Sequence, residues 1–549
     1  MNILFKSLFL LGGLNAYASA QKIISNPAIA CQKLGASLSI KNVKVNFAEY
    51  LPAGTNITLT QAYNLSSCGY TSQVVSNDLC RVAMECGEER GSSLEENGVN
   101  GMVGITLETW LPTNWTGRFL STGNGGVSGC IQYPDLAYTA GLGFATVGAN
   151  NGHNGTSGQD FYNNLDVVHD FVDRSLHTGV VVGKEITKHY YGKDYHKSYY
   201  LGCSTGGRQG FKAVQSYPDD FDGVVAGAPA LDFAYLTSWS ASFYKIFGDA
   251  SDPTYVPAGA LWALIHQEIM SQCDAIDGVV DGIIEDPTLC QFRPEALLCP
   301  LGTTNSTTCL TSAQVGAVRA AFTDYYGVDG QLIFPRMQPG SEETSQYVYY
   351  TSGPFSYAVD WFRYVVYNNP NWEASAYSIC DAKAAGDQNP FNIQTWNGDL
   401  SAFKAKGGKV LTYHGLADYI ITSDNSPRYY NHVSTTMGLP SSDLDDFYRF
   451  FRISGMGHCG GGVGAHMIGQ SGAETTTLDP QNNVLVRMVE WVENGNAPET
   501  VTGTKYINDD PTQGIAFVRN HCKYPARNVY VGPGNYTSPD AWKCITNSL

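Results

Sequence analysis

The sequence is poor in charged residues and has no cluster of positive charge. Only 15% of its 549 residues are Asp, Glu, Lys or Arg, and the formal net charge is −17. Nucleic-acid phosphates and anionic lipid surfaces are bound by clustered Lys and Arg. We therefore expect neither nucleic acid nor a membrane surface among the partners of this chain.

Long apolar runs, internal repeats and low-complexity linkers are also missing. The first twenty residues hold a basic Lys6, a short apolar centre at 8–14 and small residues at 18–20. This pattern is typical of a secretory signal peptide, and its centre is too short to span a bilayer. We predict a signal peptide at 1–20 and a secreted, extracellular chain.

Cysteine, by contrast, is abundant, and its use agrees with secretion. The chain has 14 cysteines, more than a reduced cytosolic enzyme normally carries. Six positions satisfy the glycosylation pattern N-x-[ST], and we expect about half of them to be used. They are Asn56, Asn64, Asn114, Asn154, Asn305 and Asn535.

Apolar runs that alternate with helical patterns predict an α/β fold. Val167, Phe171 and Leu176 recur at helical spacing, and residues 484–491 do so more loosely. Strands alternating with helices favour a mostly parallel sheet. Predicted strands lie at 104–111, 118–122, 143–148, 197–201, 223–226, 409–413 and 448–454.

The chain is longer than one hydrophobic core usually supports, so at least two lobes are expected. The alternating pattern stops between 231 and 405, a stretch with two close cysteine pairs and an aromatic block. We predict a catalytic domain in two parts, 21–230 and 406–549, with 231–405 inserted as a lid domain.

A candidate nucleophile lies in a Gly-x-Ser-x-Gly motif formed by Gly202, Ser204 and Gly206. In α/β-hydrolases this motif makes a sharp strand-to-helix turn, and the order along the chain is Ser, Asp, His. Asp418 and His458 complete that order. Serine is a weak nucleophile, so Ser204 would need His458 as base and Asp418 to orient the imidazole.

Two backbone N–H groups would stabilise the oxyanion formed in such a reaction. Thr205 follows the nucleophile at the predicted start of a helix, so its N–H is one candidate. The glycine-rich loop 123–126 follows a predicted strand, and we choose Gly125 as the second donor.

Each of these residues has a simpler interpretation. A Gly-x-Ser-x-Gly motif arises often by chance in a chain with 59 glycines. Asp418 could be a turn residue, and His458 a flexible loop residue. His153 and His466 lie in glycine-rich loops, where we expect surface positions.

The cysteines beside the motif residues carry a resemblance to a known family. Cys203 precedes Ser204 and Cys459 follows His458, with Asp418 between them. This arrangement resembles the tannase/feruloyl esterase family, and the segment 420–430 is similar to its fungal type-B feruloyl esterases. The resemblance implies an α/β-hydrolase fold and a secreted carboxylic ester hydrolase with an acyl-enzyme on Ser204.

The resemblance also implies a disulfide between Cys203 and Cys459 that holds the triad in place. The stretch 86–100 is longer than in the family, and Cys86 has no clear partner, with Cys380 left over. For the other cysteines we expect the pairs Cys31–Cys80, Cys68–Cys130, Cys273–Cys290, Cys299–Cys309 and Cys522–Cys544.

An acidic loop predicts a calcium site. Asp274, Asp277 and Asp281 can supply carboxylates, while Val279 and Ile283 can supply backbone carbonyls, in a loop with two glycines. The spacing is not that of an EF-hand. The alternative is an acidic surface turn, but the resemblance implies a structural calcium here.

An aromatic block in the lid suggests a substrate, although these residues fit a lid core at least as well. A hydrophobic slot would suit a hydroxycinnamate such as ferulate, caffeate or p-coumarate from plant cell-wall esters. Alternatives are a tannase acting on galloyl esters, a serine peptidase, and a non-catalytic binding protein on a hydrolase scaffold. The block consists of Phe355, Tyr357, Trp361, Phe362, Tyr364 and Tyr367.

Overall fold

The computed structural model describes residues 26–87, 104–302 and 307–546. The predicted signal peptide, most of the stretch 86–100 and the sequon at Asn305 lie outside these ranges. None of the helices within them is long and apolar enough to cross a membrane.

The described ranges contain 17 strands. They are β1 (Val43–Leu51), β2 (Asn56–Thr58), β3 (Ser72–Val74), β4 (Leu79–Cys86), β5 (Ile105–Pro112), β6 (Arg118–Thr122), β7 (Ala145–Ala149), β8 (Lys197–Cys203), β9 (Gly223–Gly227), β10 (Tyr325–Tyr326), β11 (Leu332–Phe334), β12 (Lys409–Gly415), β13 (Tyr448–Ile453), β14 (Thr500–Tyr506), β15 (Ile515–Cys522), β16 (Arg527–Tyr530) and β17 (Trp542–Ile545).

In these ranges nine strands form one sheet, in the order β1-β4-β5-β7-β6-β8-β9-β12-β13. The neighbours from β7 to β13 run parallel, whereas β1, β4 and β5 form an antiparallel edge. Every strand predicted from an apolar run is present, and the prediction of a mostly parallel sheet is confirmed.

The α-helices pack on both faces of this sheet or lie in the region inserted after β9. They are α1 (Pro27–Ser37), α2 (Tyr133–Gly141), α3 (Leu165–His169), α4 (Ser175–Tyr191), α5 (Thr205–Ser216), α6 (Phe233–Phe247), α7 (Ala260–Cys273), α8 (Ser312–Ala321), α9 (Glu342–Ser345), α10 (Ser356–Trp361), α11 (Ile379–Gln388), α12 (Ser401–Ala405), α13 (Asn425–Met437), α14 (Ser441–Leu444) and α15 (Val484–Asn494).

Shorter helical segments connect them. A π-helical turn, Asp170–Arg174, joins α3 to α4, and two others follow α9 and α10 at Gln346–Tyr350 and Phe362–Val366. The 3₁₀ turns are Ser66–Cys68, Gln159–Phe161, Asp274–Asp277, Pro287–Leu289, Pro294–Leu297, Ala374–Ala376, Pro390–Asn392, Pro480–Asn482, Ile507–Asp509, Pro511–Gln513 and Pro539–Ala541.

Strand β8 illustrates why the central strands are continuous apolar runs. Successive side chains of a strand point to opposite faces. Tyr200 packs in the core on the side of α5 and α13, while Tyr199 and Leu201 pack on the side of α15. Helices cover both faces, so nearly every position of the strand is buried.

The chain between β9 and β12 builds a separate helical core. Its buried side chains include Trp239, Trp262 and Trp361, and Phe161 and Phe171 from the first part of the chain join them. Near the C-terminal end of this region, α12 packs instead with the core of the large sheet. The inserted region is therefore packed against the sheet domain at both ends.

Six disulfides lie in the described ranges, and they join the pairs expected from the sequence: Cys31–Cys80, Cys68–Cys130, Cys203–Cys459, Cys273–Cys290, Cys299–Cys309 and Cys522–Cys544. Cys86 is a buried free thiol at the end of β4, and Cys380 is an exposed free thiol in α11. These two cysteines, for which the sequence indicates no clear pairing, are therefore not joined to each other.

The described sequons differ in how accessible their amide groups are. Asn64 donates from its side-chain nitrogen to the carbonyls of Leu59 (3.0 Å) and Tyr70 (2.8 Å). Its side-chain oxygen is buried. Glycosylation would have to replace one of these bonds, so Asn64 is the least suitable site. The exposed ones are Asn56, Asn114, Asn154 and Asn535.

Candidate active site

Ser204 occupies a sharp turn between β8 and α5. Its backbone has φ 66° and ψ −124°, which is strained for a residue with a side chain. Two hydrogen bonds hold this conformation: the Ser204 N–H donates to Gly227 O, and the Ala230 N–H donates to Ser204 O, both at 3.0 Å. The turn is therefore anchored to the end of the neighbouring strand β9.

Glycines around Ser204 allow this close packing. A Cβ added at Gly202 would lie 2.6 Å from the Tyr200 hydroxyl, and one at Gly207 would lie 2.2 Å from Gly227 O. At Gly206 the nearest atom would be Asn124 O, at 3.0 Å. Side chains at Gly202 and Gly207 would push the turn away from the strands that hold it.

Asp418 and His458 are in direct contact. Asp418 follows β12, is fully buried, and has its Oδ2 2.8 Å from His458 Nδ1. Its Oδ1 accepts the N–H groups of Ile420 (2.8 Å) and Ile421 (2.9 Å). Burial disfavours the charge, but His458 and a second histidine outweigh it and hold the pKa of Asp418 well below its ordinary value.

That second histidine, His414, was missed by the sequence reasoning. Its Nε2 lies 3.1 Å from Asp418 Oδ2, and its Nδ1 lies 2.7 Å from Ser426 Oγ. An ionised carboxylate only accepts hydrogen bonds, so both histidines donate to Asp418. Its position at the carboxyl end of a parallel strand, four residues before Asp418, was the available signal.

The disulfide between Cys203 and Cys459 joins the segments that carry Ser204 and His458. The two Cα atoms are 5.9 Å apart, and Ser204 and His458 line the same cavity. Within the described ranges the Ser204 hydroxyl makes no hydrogen bond. With Nδ1 of His458 bonded to Asp418, its Nε2 is the nitrogen available to that hydroxyl.

The oxyanion-hole candidates lie beside Ser204. Thr205 begins α5, and its hydroxyl donates to Gly126 O at 2.6 Å, which ties the helix to the loop 123–126. The Asn124 N–H is already donated to Gln209 Oε1 at 2.9 Å. Gly125 lines the cavity with open space above its Cα. The Asn124 N–H is thus engaged elsewhere, and Gly125 stays the predicted second donor.

The cavity at Ser204 has a volume of about 520 Å³ and is lined by both apolar and polar side chains. Side chains of the inserted region, including Phe233, Leu236, Phe355 and Tyr357, form an apolar wall. Polar side chains also line the cavity, among them Gln132, Asp135, Gln470 and Ser471. Burial raises the pKa of Asp135 to about 6.

Some residues of the predicted aromatic block line the cavity, and others pack in or against the core of the inserted region. Phe355 and Tyr357 line the cavity, whereas Trp361 and Phe362 are buried in the core of the inserted region. Tyr364 is half-buried and packs against that core, and Tyr367 is exposed.

His153 and His466 are buried, so the prediction that both lie at the surface is wrong. The ring of His153 is hydrogen-bonded to the carbonyls of Asn151 and Val127. His466 lies between two carboxylates. In each case partners from other parts of the chain offset the cost of burying a polar ring.

The acidic loop carries only oxygen donors and a surplus of negative charge. Burial raises the pKa of Asp277 to about 7, and the nearby Glu285 and Asp281 add to this rise. Arg519 is paired with both Glu285 and Asp281. This donor set fits a hard cation such as Ca²⁺.

The aspartates of this loop also bond the backbone. Asp274 accepts the Gly282 N–H, and Asp277 and Asp281 each accept the N–H two residues further on. Across the described ranges, no group of three or more His, Cys, Asp or Glu side chains is arranged as a metal site. The calcium site, with Val279 and Ile283 as carbonyl donors, stays a prediction.

Comparisons with known proteins identify similar sequences and structures. The family model described as "Tannase and feruloyl esterase" matches residues 95–545. A probable feruloyl esterase B-2 of Aspergillus terreus is 57% identical over 515 residues, which is 94% of this chain and 95% of that protein.

Two solved structures from Aspergillus oryzae are also similar. The crystal structure of an esterase superposes with a TM-score of 0.90 at 56% identity, covering 95% of this chain and all of that one. For the crystal structure of feruloyl esterase B the TM-score is 0.89 at 51% identity, with the same coverage.

Proposed function

The chain belongs to the tannase and feruloyl esterase family, and on that basis we propose that it is a secreted feruloyl esterase. It is a carboxylic ester hydrolase, and its substrates would be plant cell-wall esters of hydroxycinnamic acids such as ferulate, caffeate and p-coumarate. One observation carries this proposal. Ser204 and the Asp418-bonded His458 line one cavity together with apolar and aromatic side chains of the inserted region.

In the proposed acylation step Ser204 attacks the ester carbonyl. His458 Nε2 takes the hydroxyl proton, and the ionised Asp418 stabilises the imidazolium that forms. The N–H groups of Thr205 and Gly125 donate to the oxyanion. His458 then returns the proton to the leaving alcohol, which leaves the hydroxycinnamoyl group on Ser204.

In the proposed deacylation step water replaces the alcohol. His458 takes a proton from the water as it attacks the acyl-enzyme carbonyl, and the same donors bind the second oxyanion. Collapse returns the proton to Ser204 Oγ and releases the acid. The apolar wall with Phe355 and Tyr357 would stack on the phenolic ring during both steps.

The proposal includes an α/β-hydrolase fold with 231–405 as a lid. Phe233 and Tyr357, both from this region, line the same cavity as Ser204, which supports a role in covering the site. The disulfides and the sequence of 1–20 support secretion.

We also propose that Asp274, Asp277 and Asp281, with the carbonyls of Val279 and Ile283, hold a structural Ca²⁺. The cation would neutralise the surplus negative charge of the loop. None of these residues lines the cavity at Ser204, so the metal would act on stability and not on the reaction.

Paired assays with methyl ferulate and methyl gallate test the proposed substrate. We expect kcat/KM for the ferulate to exceed that for the gallate by roughly 10- to 100-fold, because an apolar slot leaves added hydroxyls unpaired. The Ser204→Ala variant is the control for background hydrolysis. Preference for the gallate would assign a tannase activity instead.

A further inference from the structure

A buried histidine lies in the segment that follows the catalytic histidine. His466 lies eight residues after His458 and is 1% exposed. Its Nδ1 is 2.7 Å from Glu474 Oε2, and its Nε2 is 2.9 Å from Asp509 Oδ1. Carboxylates only accept hydrogen bonds, so a ring that bonds both must carry a proton on each nitrogen.

The charged groups around His466 favour this doubly protonated ring. Burial opposes the charge, but Glu474 and Asp509 outweigh it and raise the pKa of His466. Lys505 Nζ is 2.6 Å from Asp509 Oδ1, and it also donates to Gly462 O at 2.6 Å. The nearby His521 adds no charge, because burial lowers its pKa to about 3.

The bridge spans two parts of the chain. Glu474 belongs to the same loop as His466, whereas Asp509 ends the 3₁₀ turn after β14. Gln470, within the loop, donates to the carbonyls of Cys459 and His466, both at 3.2 Å. His466 is therefore linked through one side chain to the residue beside His458.

The same loop forms part of the cavity at Ser204. His458, Cys459, Gln470 and Ser471 all line that cavity. A shift of the loop would consequently move both the catalytic base and polar side chains that line the cavity.

We propose that His466 is a positioning residue whose imidazolium, bridging Glu474 and Asp509, holds the loop 457–474 so that His458 faces Ser204. The inference rests on the proposed function, in which these two residues perform the reaction. The Gly461 N–H also points at Nδ1 in this structure, from 3.1 Å, and it is the donor that Nδ1 accepts from on deprotonation. Glu474 then loses its donor, and the loop is held less firmly.

The direction of the pH effect follows from the raised pKa. A base whose pKa is higher in the folded protein adds stability at low pH, and this stability is lost as the pH rises through the folded value. The ordinary histidine pKa is about 6.5. The bridge is therefore intact in mildly acidic solution and weakens on the alkaline side of the raised value.

Two variants and their controls test the proposal. We compare His466→Gln and Asp509→Asn with His189→Gln, an exposed histidine on α4, and with Asp510→Asn, the neighbouring carboxylate. The readouts are kcat, KM and the rate at which an organophosphonate labels Ser204, each between about pH 5 and about pH 9. Labelling does not depend on the preferred acyl group.

The wild-type enzyme should lose kcat and labelling rate at alkaline pH. His466→Gln should lower both by roughly 10- to 100-fold, with a smaller change in KM, and should remove the alkaline decline. Asp509→Asn should move that decline to lower pH, because a carboxylate that raises the His466 pKa is gone. The two control variants should match the wild type.

The proposal would be overturned if His466→Gln had the same kcat as the wild type. It would also be overturned if the alkaline decline of Asp509→Asn occurred at the same pH as that of the wild type. If His466→Gln does not fold, Asp509→Asn decides the matter, since the Asp509 side chain is 44% exposed and its loss leaves the core intact. A wild-type enzyme that is not labelled at any pH would refute the proposed function instead.

Discussion

At the scale of single residues, Asp418 connects the chemistry to the fold. It accepts from two imidazoles and two backbone N–H groups while fully buried. Such a carboxylate keeps its charge because every partner is a donor. With its pKa held low, its contribution to stability is present above the ordinary value of about 3.9 and is lost only as the pH falls through the lower folded value.

Replacement of His414 tests whether the second imidazole matters for the reaction. His414→Phe removes one charge-assisted hydrogen bond to Asp418, a bond worth about 1.5–3 kcal/mol. We expect kcat to fall by roughly tenfold or more and the thermal midpoint to drop, while KM changes little.

His432→Gln provides the matched control, because His432 lies partly buried on α13, where its Nε2 is bonded to the Trp396 carbonyl and away from Asp418. Equal kcat values for His414→Phe and the wild type would show that Asp418 needs no second donor.

Sequence order suggested Ser204, Asp418 and His458 because a nucleophile elbow and its partners follow a fixed order along the chain. His414 and His466 were not assigned because their roles depend on partners brought together by folding. Asp509, for example, lies 43 residues beyond His466. A glycine-rich neighbourhood indicated a loop, but it could not indicate that the loop is buried.

At the scale of elements, the site depends on where the parallel strands end. Ser204 follows β8, Asp418 follows β12 and His458 follows β13, so three carboxyl ends meet at one edge of the sheet. The strands were predictable because both faces of each are covered, which requires continuous apolar runs. The antiparallel edge strand β1 is only half-buried or exposed at all but its last position, and it was not predicted.

The disulfide between Cys203 and Cys459 links two of these ends. In the double variant Cys203→Ser with Cys459→Ser, we expect kcat to fall far more than KM rises. Misplacement of the reacting groups by about 1 Å can cost roughly 100-fold. Steady-state kinetics on methyl ferulate measure both constants.

The comparison variant is Cys299→Ser with Cys309→Ser, which removes a disulfide of the inserted region away from the cavity. Turnover lowered equally in both double variants would point to a general loss of stability instead of a local effect at the triad.

At the scale of the whole molecule, an acidic chain with net charge −17 concentrates carboxylates in the loop 274–285. The family resemblance is confirmed by the comparisons, whereas the calcium it implies is a proposal. Suppose that the folded protein binds Ca²⁺ and the unfolded chain does not. Calcium at 100 times its dissociation constant then adds about 2.7 kcal/mol to the free energy of unfolding.

Chelation should therefore lower the thermal midpoint without changing kcat at temperatures where the protein stays folded. Asp281→Asn should lower the midpoint in calcium and remove the response to chelator. Asp329→Asn, an exposed aspartate that bonds the backbone in a similar turn, should keep that response. A wild-type midpoint that is the same with and without chelator would contradict the calcium proposal.

The central claim is that Ser204 forms the acyl-enzyme, and covalent labelling tests it most directly. After treatment with an organophosphonate, peptide mapping by mass spectrometry should place one adduct on Ser204, and activity should fall in proportion to labelling. The Ser204→Ala variant should remain unlabelled. A folded protein that hydrolyses esters at the full rate while Ser204 is modified, or that carries its adduct on another serine, would contradict the account.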